Sequence, residues 1–182
     1  VALVPARPEH RRLVYEWLAC SDVTRSFMGP PDFVDNPIPT WEEFDGDEDA
    51  FLFEGEVTER GRCFLIVRDE EPIGAVIAND VFERDDVRRV ELDIWMRSEA
   101  DCGRGLGGEA LDVLCRHLSD RFGVDEFMVQ PSARNARAIR AYEKVGFRRL
   151  DVSIDEARAA WGPSDYHDSV YMVKSLARGG PP

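Results

Sequence analysis

Four glycines fall within the six residues Gly103-Arg104-Gly105-Leu106-Gly107-Gly108. Several backbone N–H groups set free where such a turn opens a helix stabilise an anion. The run satisfies G-x-G-x-x-G, which by itself is a weak signal. A dinucleotide site wants an acidic residue at the end of the following strand, and here that strand ends in Gln130 and Pro131. A P-loop wants Gly-Lys-Ser/Thr, and the turn holds no lysine. A bare tight turn is the alternative. So many glycines at a strand-to-helix junction favour a loop that cradles phosphate. Cys102 precedes the turn, and a thiol close to a helix N-terminus is expected to have a lowered pKa. No histidine stands near it in sequence, which speaks against a Cys–His nucleophile. His10, His117 and His167 are scattered and make no metal set.

These residues need elements to position them. Pro8-Glu9 opens a helix with Leu13, Val14, Trp17 and Leu18 on one face. Three strands follow at Cys63–Val67, Ile73–Ala78 and Val90–Met96, with alternation clearest in the third. The glycine turn leads into a helix striped by Leu106, Ala110, Leu114 and Leu118. Phe127-Met128-Val129 is a further short strand. Asn135 to Lys144 is a helix that Gly146 closes, and Asn135 can serve as its N-cap. Ser169 to Val173 is expected as a last strand. Strands interleaved with helices define an α/β (α+β) class around one mixed sheet.

At 182 residues the chain fits one domain. It carries 23 basic against 36 acidic residues, a net charge of −13. That balance argues against a sequence-independent nucleic-acid binder, which needs a broad positive face. No run of 18 apolar residues offers a membrane span. Val1 to Arg7 lack the layout of a signal peptide. Cys20, Cys63, Cys102 and Cys115 are dispersed without a CxxC pair, which reads as reduced thiols and a cytoplasmic location.

A second motif joins the glycine turn: Asn135-Ala136-Arg137-Ala138-Ile139-Arg140-Ala141-Tyr142-Glu143-Lys144-Val145-Gly146-Phe147. Together the two pieces strongly resemble the GNAT superfamily of acetyl-CoA-dependent N-acetyltransferases, over Val90 to Leu150 and more loosely in the N-terminal half. Leu92-Asp93 and Pro131-Ser132 resemble the aminoglycoside N-acetyltransferase branch. The Arg137-to-Phe147 block also occurs in the ribosomal-protein N-terminal acetyltransferase branch. The resemblance implies a central mixed, mostly antiparallel sheet of about seven strands flanked by helices. It divides residues 1–182 into an acceptor-side half (1–89), an acetyl-CoA-binding core (90–150) and a tail (178–182). Cys102 stands where the family has Arg or Gln, but the contact there is mostly through backbone.

By that resemblance Cys102, Gly103, Arg104, Gly105, Leu106, Gly107 and Gly108 bind acetyl-CoA as co-substrate. The backbone of Trp95, Met96 and Arg97 bonds the pantetheine arm, with one N–H, that of Met96, polarising the acetyl carbonyl. Asn135 caps its helix, touches the arm, or does both. Acetyl transfer to an amine needs a base for the ammonium proton and an acid for the departing thiolate. Asp93, sharing a strand face with Glu91 and Trp95, is the candidate base; the alternative is a strand-end carboxylate paired with Arg89. Tyr142 occupies the family's acid position, and a neutral phenol can protonate a thiolate; the alternative is a core aromatic in line with Ile139 and Val145.

From Ser26 to Glu59 there is no Lys, Arg or His, while Asp32, Asp35, Glu42, Glu43 and seven further carboxylates stand beside Phe33, Trp41 and Phe44. The segment is expected to wall the acceptor side and collect a cation, unless it is only a solvated face. Arg104, Arg134, Arg137 and Arg140 are expected around the coenzyme. The sequence thus points to a small cationic amine, aminoglycoside- or polyamine-like, as acceptor. A protein N-terminal or lysine acceptor and a non-catalytic binding module are the alternatives. No metal, nucleic acid or membrane partner is expected, and a homodimer stays open.

Overall fold

The structure, a computed structural model, describes residues 1–23, 39–46, 48–162 and 168–176. The tail 178–182, His167, and the acidic-segment residues Phe27, Asp32, Phe33, Asp35 and Asp47 lie outside them.

Eight strands form one sheet: β1 (Ala2–Pro5), β2 (Arg62–Arg68), β3 (Glu71–Ala78), β4 (Phe82–Arg84), β5 (Val87–Met96), β6 (Glu126–Val129), β7 (Arg148–Arg149) and β8 (Met172–Ser175). Their order is β1-β2-β3-β5-β6-β8-β7, with β4 set against β5. Every pairing is antiparallel except β5 with β6. Two hairpins turn on two-residue loops with positive φ at both positions, Asp69-Glu70 and Asp85-Asp86, the geometry that suits strand twist. Among the described residues five α-helices accompany it: α1 (Arg11–Cys20), α2 (Trp41–Gly46), α3 (Leu106–Phe122), α4 (Ala136–Lys144) and α5 (Ile154–Trp161). Pro8 and Glu9 start a short 3-10 turn and α1 begins only at Arg11, later than the sequence implies.

Alternation on β5 sorts the two faces. Val90, Leu92 and Met96 join a core with Leu106, Ala110, Leu111, Leu114 and Leu118 of α3, the stripe expected from sequence. Trp95 turns the other way, toward Val14 and Trp17 of α1, with Ala75 and Leu65. Leu114 and Ile66 are fully buried in the first layer, and Val14 in the second.

The central feature is a fork. The parallel pairing of β5 and β6 ends at Glu91 opposite Met128, yet β5 runs on to Met96. Asn79 donates to Glu91 O, and Arg97 N–H donates to Ile73 O. Odd residues of β5 therefore spend their backbone groups on β3. Asp125 N–H donates to Arg88 O, so even residues face β6. Beyond the fork, Ile94 and Met96 present N–H and C=O to a gap where β6 has diverged. Such a strand edge accepts another extended chain.

Candidate functional site

The sequence-derived site residues gather around this fork, on two faces. Gly105 (φ +80°) is the N-cap of α3 and offers no side chain to its first N–H groups. Those groups are the unsatisfied donors of a 17-residue helix. Cβ atoms built on Gly105 would meet nothing within 4 Å. The turn is therefore open where an anion must approach, which fits a pyrophosphate.

The other glycines serve packing. A Cβ on Gly108 would stand 2.7 Å from Val145 Cγ1, so this residue lets α3 close on the end of α4. Gly107 faces Ile94 and Met96 at ordinary contact distance. Leu106 is buried in the main core. A cradle role for Leu106, Gly107 and Gly108 is thus confined to their backbone N–H groups.

Two basic residues face the turn. The Arg137 side chain reaches back from α4, its Nη2 3.2 Å from where a Cβ on Gly103 would be. Arg104 lies close enough to stabilise the charge of Asp101. Arg134 departs from expectation: its guanidinium is tied to Asp168 at 2.9 Å. Arg140 is exposed on α4.

Three expectations from sequence need correction. The Arg97 N–H is committed to Ile73 O, and by the same alternation Trp95 bonds β3. Of the three residues, only Met96 directs its backbone at the gap. The Arg97 side chain instead clamps Asp101 (Nε to Oδ2 3.0 Å) and Pro72 O. Burial pushes the Asp101 carboxyl up, but hydrogen bonds from Arg97 and Ser98 and the charges of Arg97 and Arg104 outweigh it, leaving the carboxyl below its ordinary range. This clamp fixes the connection from β5 to the glycine turn. Third, the Cys102 thiol is raised, not lowered. Burial is the main cause, opposed by Arg137 and reinforced by Asp101, Glu99 and Asp22. Cys102 ends a 3-10 turn three residues ahead of the helix cap and is not itself part of the helix N-terminus. A raised thiol is a poor nucleophile.

Asn135 is the N-cap of α4: its side chain accepts from Ala138 N–H at 3.0 Å. Tyr142 is half-buried against the main core, its ring 6.0 Å from that of Phe147. It lies on the α3 side of the sheet. Asp93 lies on the opposite face, where its Oδ2 accepts from Asn79 Nδ2 at 2.9 Å. The expected alternative partner, Arg89, is bound to Glu126 at 2.8 Å. Among the described residues no group of three His, Cys, Asp or Glu could hold a metal ion. Among the described residues no helix is long and apolar enough to cross a membrane.

Residues 1–148 match the model of the acetyltransferase (GNAT) domain. The chain belongs to the GNAT acetyltransferase family. It is an acyltransferase whose co-substrate, as in that family, is acetyl-CoA. No curated protein matches the sequence. Among solved structures, aminoglycoside acetyltransferase AAC(6')-Ib in complex with an aminoglycoside and acetyl-CoA is 22% identical, covers 96% of this chain and 92% of its own, and gives a TM-score of 0.68. An acetyltransferase from Thermus thermophilus is 23% identical over 96% of each chain, with a TM-score of 0.65. A chimeric spermidine N-acetyltransferase from Vibrio cholerae and hSSAT is 13% identical over 96% of this chain and 94% of its own, with a TM-score of 0.67. At these identities the likeness establishes a shared GNAT fold.

The acidic wall is only partly as the sequence implies. Arg11 of α1 bonds Phe44 O and Asp45, and its guanidinium sits over the Phe44 and Phe53 rings. Arg12 lies 4.7 Å from the Trp41 ring centroid, and Tyr15 packs edge-on to Trp41. Arg88 pairs with Glu59 at 2.7 Å. Basic residues missing within the segment are thus supplied from outside it, and Trp41 and Phe44 dock it onto α1. Glu43 completes the start of α2 by accepting from Thr40 N–H and Oγ1; these bonds, backbone first, hold its carboxyl below the ordinary range. Glu42 is exposed and free of that duty.

Proposed function

We propose that this GNAT enzyme transfers the acetyl group of acetyl-CoA to a primary amine of a small cationic acceptor, by direct attack in a ternary complex. The observation that carries the reading is the fork. It separates an open anion cradle and Tyr142 on one face from a carboxylate, Asp93, on the other. The acceptor then approaches from the Asp93 face and the thiolate departs on the Tyr142 face. The amine nitrogen attacks the thioester carbonyl carbon as Asp93 removes the ammonium proton, directly or through water. A C–N bond forms and the C–S bond breaks. The Tyr142 phenol gives its proton to the sulfur, the nitrogen of the adduct sheds its second proton to solvent, and solvent reprotonates the phenolate, so the products are an acetamide, a free thiol and the proton held by Asp93. Met96 N–H, aimed at the gap, polarises the carbonyl oxygen. The side chain of Asn135 retains its Nδ2 donors for the pantetheine arm after capping α4. The names of two fold neighbours, an aminoglycoside and a spermidine acetyltransferase, agree with an aminoglycoside- or polyamine-like acceptor. Thiol release from acetyl-CoA, measured with amino sugars, polyamines and N-terminal peptides side by side, tests the reading. Release with none of them overturns it, and release with peptides alone makes the acceptor a protein.

Two further results are expected. In calorimetry, Gly105→Ala should bind acetyl-CoA at least ten times more weakly, because its methyl group enters the cradle. Its positive φ adds about 1 kcal/mol of strain to the fold. Binding equal to the parent's would place the pyrophosphate elsewhere. Gly107→Val is a poorer probe, since its methyls would press on Ile94 and Met96. For the acceptor, the surplus of carboxylates should make the KM of a polyamine rise steeply with salt while that of a monoamine changes little. Glu42→Gln should raise the polyamine KM with kcat nearly kept. A salt-insensitive KM would mean that the arginines of α1 already neutralise the wall.

A further inference from the structure

We propose that Gln130 and Trp95 together bind a neutral oxygen of the acceptor, a hydroxyl or ether next to the reacting amine. The acceptor is then an amino sugar or amino alcohol, and not a bare alkyl polyamine. This inference rests on the acetyl-transfer reading and narrows its substrate class.

Among the described residues, buried side-chain polar atoms without a hydrogen-bond partner occur on Arg11, Arg62, Arg88, Trp95 and Gln130. Each of the three guanidinium groups has other partners: Arg11 holds Phe44 O, Arg62 holds Leu52, Glu54 and Ala6 carbonyls, and Arg88 holds Glu59. Only Trp95 and Gln130 have no partner at any side-chain polar atom. Gln130 is 9% exposed, and both its Oε1 and Nε2 are unsatisfied. Burying a carboxamide in that state costs folding free energy, and an apolar side chain of similar volume would avoid the cost. Packing therefore does not account for a glutamine here. A ligand does.

The two groups share the acceptor face. Phe127 and Val129 of β6 enter the α3-side core, so Met128 and Gln130 turn the other way, the side on which β5 presents Glu91, Asp93 and Trp95. The register that sets Glu91 opposite Met128 would set Asp93 opposite Gln130 had pairing continued. Gln130 is thus the first β6 residue of that face past the fork, on the side where β5 presents the candidate base, and Trp95 is the next β5 residue on that face after Asp93.

Their chemistry selects the group they hold. An indole N–H only donates, and a carboxamide donates and accepts. A pair with two kinds of donor and one acceptor suits a hydroxyl, whose oxygen accepts from Trp95 Nε1 and Gln130 Nε2 and whose proton goes to Gln130 Oε1. It suits an ammonium poorly, because the indole would face a cation with its own N–H. Ammonium recognition is left to the carboxylates of Asp93 and Glu91. A site built around unpaired polar groups rejects an analogue lacking the hydroxyl, since those groups then stay buried without partners.

The matched pair 1,3-diamino-2-propanol and 1,3-diaminopropane differs by one hydroxyl and reads this out. In the parent enzyme kcat/KM should favour the hydroxylated amine by about 10- to 100-fold. In Gln130→Met the preference should fall to within about threefold, with acetyl-CoA affinity in calorimetry kept and Tm equal to or above the parent's. Trp95→Phe, which removes one donor and keeps the ring, should reduce the preference partway. Equal use of the two amines by the parent, an undiminished preference in Gln130→Met, or a Tm drop of several degrees in that variant would each overturn the inference while leaving acetyl transfer standing. A parent that releases no thiol with any amine overturns both readings together.

Discussion

Replacing Tyr142 with phenylalanine is expected to lower kcat by about 10²–10⁴, the range for a single acid–base group, while acetyl-CoA affinity stays within a few-fold. The ring remains in place in this variant, because its packing against Phe147 and the main core does not depend on the hydroxyl. The loss then belongs to the hydroxyl. The leaving-group dependence sharpens the test. An alkyl thiolate departs poorly without protonation, whereas the thiolate of an aryl thioester is stable enough to leave unaided. With an acetyl donor of low thiol pKa the defect of Tyr142→Phe should shrink toward tenfold or less. A defect of constant size across donors would assign the hydroxyl to binding or orientation. No defect at all would leave protonation to solvent and return Tyr142 to the core role that its alignment with Ile139 and Val145 also allows.

The coenzyme side of the molecule was the legible side. A glycine turn, a capped helix and a closing glycine are local signals, and each appears where the residues place it: Gly105 and Gly146 with positive φ, Asn135 as an N-cap. Strands β2, β3 and β5 were legible for the same reason, as apolar or alternating runs. β4 is only three residues long and carries no periodicity. The helix α5 did have a signal that went unread: Ser153 and Glu156 form a capping box, and Ala157 and Trp161 recur at helical spacing on its buried side. The remaining misses are tertiary. Sequence shows that the acidic segment has no basic residue, but not that Arg11 and Arg12 reach over from α1 to dock it. It places Cys102 before a helix, but burial decides its thiol. It names Trp95, Met96 and Arg97 as one stretch, yet the pleat allots their backbone groups to opposite sides, and only the fork shows which side is open. Gln130 is the extreme case. A glutamine at a strand end signals nothing until its amide is seen buried without a partner.

Asp93→Asn is expected to lower kcat/KM for an amine acceptor by about 10²–10³ near neutral pH, within the range for a general base, with acetyl-CoA affinity unaffected. The fold should tolerate the change, because an asparagine oxygen can still accept from Asn79 Nδ2 as Asp93 Oδ2 does. The pH profile separates the two jobs a carboxylate can have here. An aliphatic amine, with a pKa near that of lysine at about 10.4, is almost wholly protonated at pH 7. If Asp93 removes that proton, the variant must draw on the small neutral fraction of the acceptor, which grows about tenfold per pH unit. Its kcat/KM should then climb with pH and approach the parent's in alkaline solution. If Asp93 serves only to attract the cation, the loss should appear as a raised KM, be largest where the amine is charged, and weaken with added salt in the parent as well. Asn79→Ala adds an independent arm. It removes the Asn79 Nδ2 donor from the Asp93 carboxylate, which should change both its orientation and its strength as a base. A change in the parent's pH profile with little change in KM would support proton transfer at this atom. Indifference of both variants would make Asp93 a strand-end carboxylate held by Asn79, and the acceptor amine would have to lose its proton to solvent.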